Sequence, residues 1–151
     1  MTNEPQAVLK GRSAARLGAV QALYQLEMEP SDPRVAISQF INTRFKNPDQ
    51  YHMKNPDLNL FEALVTGWHS KSDHIDGLIT QILSKDWPFE RIENVLRAIL
   101  RCGTCELESF PETPKAVIIN EYVNLTKTFY DGQEPGFINA SLDRLAQLLG
   151  R

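Results

Sequence analysis

Only two cysteines stand among the 151 residues, which excludes a multi-bridge disulfide framework; a chain of this length can bury enough surface to fold without one. No apolar run approaches the roughly 18 residues that a membrane-spanning helix needs. The first ten residues, MTNEPQAVLK, show neither the basic start nor the apolar stretch of a signal peptide. A cytoplasmic protein without membrane contact is expected. Positive charge is scarce as well: 16 Lys and Arg against 19 Asp and Glu give a net charge of −3. Any nucleic acid must therefore be held by a local basic patch and not by the surface at large. G-x-S-x-G, the P-loop and G-x-G-x-x-G are all missing, and no positioned carboxylate pair stands out, so catalysis is not expected. The three histidines, His52, His69 and His74, lack metal-ligand spacing. Neither a metal nor a cofactor is implied.

What is present reads as one domain of ordinary globular composition, 42% hydrophobic and 23% charged. Nine prolines cut the chain into helix-length pieces. Leu17, Val20, Leu23, Tyr24 and Leu26 predict an amphipathic helix over about 13–28, closed by Pro30. A second helix is expected over about 33–45, with Ser31 or Asp32 as its cap. Residues 46–56, with two Asn-Pro pairs, predict a loop. Asp57 is placed to cap a helix carrying Phe61, Leu64, Val65 and Trp68, and two consecutive helices are expected to fill 58–84. Trp87–Phe89 reads as a connector. Ile92, Val95, Leu96, Ile99, Leu100, Gly103 and Leu107 then define a long central helix ending before Pro111. Thr113 as cap and Pro114 at the first helical position open another helix. Pro135 to Gly150 holds the last, with Gly150 at the left-handed stop. No strand is expected. The fold class is all-α, a bundle of about seven helices.

Several clusters invite a chemical reading. Cys102-Gly-Thr-Cys105 has the spacing of a redox dithiol or half a zinc site, but it lies inside a helix with apolar periodicity on both sides, which favours packing. Asp73, His74 and Asp76 resemble a ligand cluster, yet acidic residues at a helix start answer the helix dipole. Within residues 1–20, Lys10, Arg12 and Arg16 against Glu4 give a local charge of +2. Arg12 and Arg16 are four apart and share a helix face, as do Arg97 and Arg101, and each pair could meet phosphate or only solvent. Residues 1–12 are read as a flexible basic arm and 13–150 as the helical domain.

Four separated strings together resemble one family, the bacterial transcription antitermination factors of the NusB type. They are Ala14 to Glu27, Ile99 to Leu107, Val117-Ile-Ile-Asn-Glu-Tyr-Val123, and Glu134-Pro-Gly-Phe-Ile-Asn-Ala-Ser-Leu-Asp143. The strings span nearly the whole chain in the family's order.

The resemblance implies two packed three-helix units and no catalytic activity. It also implies pairing with the small-subunit ribosomal protein NusE, joint binding of single-stranded boxA-like RNA in ribosomal RNA operons, and work on the RNA polymerase elongation complex. Carried onto this chain, the family's arginine-rich segment falls on Lys10, Arg12 and Arg16, with Ser13 and Ala14 at positions that often carry arginine. Arg101 matches the arginine of the central helix. Tyr24 can stack a base if exposed, and Phe137 lies near the RNA surface. Phe129, Asp131, Gln133 and Glu134 fall where a basic protein partner would dock. Asn120 and Asn139 recur in the family's strings and are read as buried helix ties. Two competing readings remain, a thiol redox protein using Cys102 and Cys105, and a module that docks only protein.

Overall fold

The computed structural model describes residues 7–151. Seven of its helices follow the periodicity, α1 (Gly11–Met28), α2 (Pro33–Asn42), α4 (Leu58–Ser70), α5 (Ser72–Ile82), α6 (Asn94–Ser109), α7 (Lys115–Phe129) and α8 (Glu134–Leu148), while the single turn α3 (Pro48–Tyr51) falls in the stretch expected to be a loop. Single 3-10 turns occupy Arg44–Lys46 and Phe89–Arg91. Two short strands, β1 (Leu9–Lys10) and β2 (Met53–Pro56), pair in parallel. They correct the expectation of a strandless chain and of a plain loop over 46–56. A ladder this short leaves no alternation to read, and its partner is more than forty residues away by number. The arm expected over 1–12 divides. Residues 1–6 lie outside the described residues, whereas Leu9 and Lys10 are held in β1 and α1 starts at Gly11.

Local chemistry sets most of the boundaries. Asp32 caps α2 by accepting the Arg34 amide at 2.9 Å, with Pro33 in the first turn. Asp57 caps α4 by accepting the Leu60 amide at 3.1 Å. Glu93 caps α6 through the Val95 amide. Gly150 takes a positive φ of 76° at the end of α8, as its position predicts. Thr113 does not cap α7. Pro114 stays extended, with ψ of 136°, so the helix begins one residue later at Lys115. Thr113 is buried and its carbonyl accepts from Arg151 instead.

Contacts divide the described residues into two units, one ending at Val65 and the other running from Thr66 to Arg151. In the first part α1 is the spine, buried at every residue from Ala14 to Val20. The rings of Phe40, Phe45 and Phe61 cluster with centroids 4.8–6.1 Å apart. Gly18 admits them: a Cβ there would stand 2.6 Å from the Phe45 ring. Burying a ring such as Phe61 contributes about 1.5–3 kcal/mol.

In the second part α6 is the central helix, buried at every residue from Leu96 to Leu107. Such a helix has no polar face to turn outward, so each of its charged groups needs an internal partner. Glu106 accepts the Tyr122 hydroxyl at 2.7 Å. Gly103 lets α8 approach, since a Cβ there would meet Leu142 at 2.7 Å. Arg151 donates to the carbonyls of Leu107, Phe110, Pro111 and Thr113, fastening the turn between α6 and α7.

Candidate functional site

The amino-terminal cations separate by environment. Lys10 is the extended residue that precedes α1, and its side chain is exposed. Arg12 is 64% exposed and stands 3.9 Å from the Asp57 carboxylate. The first turn of α1 has no acidic residue of its own, and the carboxylate standing beside it is that of Asp57. Arg16, one turn further, is only 2% exposed. The expected Arg12/Arg16 pair is thus split, because α1 is enclosed over nearly its whole circumference once past Ser13. Tyr24 is exposed, at 38%. It lies twelve residues beyond Arg12, about 18 Å along the axis, so the two mark opposite ends of the helix.

Parallel pairing brings a further cation to Lys10. The register sets Leu9 against Met53 and Lys10 against Lys54. Met53 is fully buried while Lys10 and Lys54 are exposed, as the alternation of a strand requires. Nothing in the local sequence signals this neighbour.

In residues 66–151, Arg101 points inward. Its Nε and Nη2 donate to Asp76 Oδ1 and Oδ2 at 2.9 and 3.0 Å. Its guanidinium lies 4.7 Å from the centroid of Trp68 and 5.2 Å from that of Phe89. Arg97 is 9% exposed and donates to the carbonyls of Glu90 and Ile92 and to the Asn94 side chain. Both arginines of α6 serve as internal fastenings.

The carboxyl-terminal residues gather at a groove of about 630 Å³ whose lining includes Trp87, Arg91, Leu96, Tyr130, Glu134 and Phe137. Gln133 also lines it. Asp131 is exposed nearby in sequence, and Phe129, the last residue of α7, is 43% exposed. Trp87 is 59% exposed. In sequence it reads as part of a connector, and a tryptophan in a short link between helices has no helix stripe to bury it. Arg91 and Tyr130 were missed for the same reason.

The other clusters dissolve into structural roles. Cys102 and Cys105 are buried free thiols. Burial pushes Cys105 up to about 11 and Cys102 well above the usual thiol range. Thiols held protonated are poor nucleophiles and poor metal ligands. Asp76 turns to Arg101, and His74 turns to Glu108 at 2.7 Å. No cluster able to hold a metal ion occurs among the described residues. Asn120 and Asn139, expected as buried ties, are both exposed. They sit on the outer faces of α7 and α8, away from the stripes of Ile118 and Ile138. No described helix is long and apolar enough to cross a membrane.

The model of the NusB family matches residues 13–147. Among curated proteins, the transcription antitermination protein NusB of Brucella anthropi is 40% identical over 145 residues, covering 95% of this chain and 86% of its own length. The protein of that name from Mesorhizobium japonicum is 41% identical over 137 residues, covering 90% and 88%. Among solved structures, T. maritima NusB superposes with a TM-score of 0.73 at 26% identity, over 92% of this chain and 93% of that one. A crystal structure of the antitermination factors NusB and NusE in complex with double-stranded RNA matches with a TM-score of 0.71 at 24% identity, over 90% and 96%.

Proposed function

The chain belongs to the NusB family, and from this premise we propose that it is an RNA-binding transcription antitermination factor. It pairs with the ribosomal protein NusE, engages boxA-like RNA of ribosomal RNA operons, and acts with the RNA polymerase elongation complex in the cytoplasm. It performs no catalysis. The observation that carries the reading is the 40% identity to a named antitermination protein across 95% of the chain.

The geometry supports a division of labour. Lys10 and Arg12, exposed cations on a chain of net negative charge, are suited to hold phosphate. Arg16 and Arg101 are buried and act by keeping α1 and α6 in place. The groove beside Phe137 offers aromatic surface, while Asp131 and Glu134 supply negative charge that complements a basic ribosomal protein. Two weak contacts on one RNA, one from each protein of the pair, raise the effective concentration of the second.

The deciding experiment measures binding of a boxA-like RNA across salt concentrations, with and without NusE. Binding that tightens with NusE, prefers boxA and weakens with salt is expected. Equal, salt-insensitive binding of any RNA in both cases would overturn the reading.

A further inference from the structure

We propose that Lys54 joins Lys10 in a two-ammonium clamp on the RNA phosphate chain, a role that rests on the RNA-binding reading above. The argument begins with the register. In a parallel ladder the strands lie about 4.8 Å apart and registered residues face the same way. With Met53 in the core, Lys10 and Lys54 must both project outward, side by side. Like charges directly opposite one another on a sheet are unfavourable unless something between them carries the opposite sign.

Nothing described fills that role. Neither lysine has a carboxylate partner among the described residues. The nearest acidic group in the chain path, Asp57, is taken up by the Leu60 amide and by Arg12. The pairing cannot relax by slipping either. A shift of one residue would expel Met53 from the core, and the flanking His52 and Asn55 are fixed in left-handed conformations, with φ of 59° and 46°. The fold therefore holds together, on a rigid element, two ammonium groups without a partner among the described residues, with Lys10 two positions before the exposed Arg12 in the chain. Each phosphodiester of an RNA chain carries one negative charge shared between two oxygens, so neighbouring phosphates offer one anion to each ammonium and a further one to Arg12.

The test uses the full chain and one boxA-like RNA, comparing wild type with Lys54→Gln, Lys10→Gln, the double variant, and Arg34→Gln as a control cation already paired to Asp32. For single-stranded RNA each lost phosphate contact lowers the slope of log affinity against log salt by about 0.7. Each lysine variant should lose about that much and the double variant about twice as much, with the control unchanged. At low salt the melting temperature of Lys54→Gln should hold or rise, since a like-charge neighbour has gone. An unchanged slope for Lys54→Gln beside a lowered slope for Lys10→Gln overturns the clamp and leaves the RNA-binding reading standing. The same holds if Lys54→Gln weakens only NusE binding, or if it lowers the melting temperature. Salt-insensitive RNA binding by the wild type would overturn both.

Discussion

Asp76 grips Arg101 at two points, and the same carboxylate accepts the Trp68 indole N–H at 3.2 Å. The arginine side chain is 8% exposed and the aspartate 26%. Removing one partner of such a pair leaves a poorly solvated charge behind. Asp76→Ala should destabilise the protein by roughly 3 kcal/mol in urea unfolding. Arg101→Lys keeps the charge but loses the planar fork, so it too should lower stability, while the salt dependence of RNA binding stays unchanged. A lowered salt slope in Arg101→Lys would assign this arginine to the RNA instead.

Arg12 and Arg16 offer a matched comparison within one helix. Arg12→Gln removes an exposed cation and should lower the RNA salt slope by about 0.7 with stability within about 0.5 kcal/mol of wild type. Arg16→Gln strips a buried guanidinium from α1. It should cost roughly 1–3 kcal/mol of stability and leave the slope untouched. Chemical unfolding and RNA anisotropy on the same samples separate the two effects.

The buried thiols make a pH prediction. Because Cys105 titrates near 11 when folded, above its value in the unfolded chain, the unfolded form releases its proton first as pH rises. The associated stability is intact below about 9 and is lost between there and about 11. A shift of this size corresponds to roughly 2–3 kcal/mol. Cys105→Ala should flatten the alkaline limb of the stability profile, and a thiol reagent at neutral pH should react only as fast as the wild-type protein unfolds.

Trp87 and Trp68 are the two tryptophans of the chain, one 59% exposed and the other 9%. Trp87→Ala should leave stability within about 0.5 kcal/mol while weakening association with NusE or RNA by more than about 1 kcal/mol, as expected of an aromatic anchor. Titration calorimetry checks the affinity. In the wild type, quenching by acrylamide should fall on complex formation, and that change should vanish in Trp87→Ala.

Sequence reading reached furthest where the physical cause was local. The caps at Asp32 and Asp57, the break between α4 and α5, the enclosed α6 and the stop at Gly150 each follow from residues within a few positions of one another. Identity also travels well, because strings such as Val117–Val123 keep their order. Burial of individual cations did not travel. Arg12 and Arg16 are equivalent by helical phase, and only the packing around α1 distinguishes them. Arg101 looked like a surface cation until Asp76, twenty-five residues away, supplied its partner. The exposed Trp87 and the register of Lys54 against Lys10 depend in the same way on distant chain.

The β1–β2 crossing has a further consequence for how the basic surface comes into being. The Leu9 amide donates to the His52 carbonyl at 2.8 Å, and the Asp57 amide to that of Gly11 at 3.0 Å. These bonds close a stretch of more than forty residues, an entropic debt of about 3 kcal/mol that grows only slowly with length. The neighbouring lysines are consequently an attribute of the completed tertiary structure, and a peptide copying residues 7–28 would reproduce half of them at most. Protection of the Leu9 amide from deuterium exchange would report, proton by proton, how much of the time that surface is assembled.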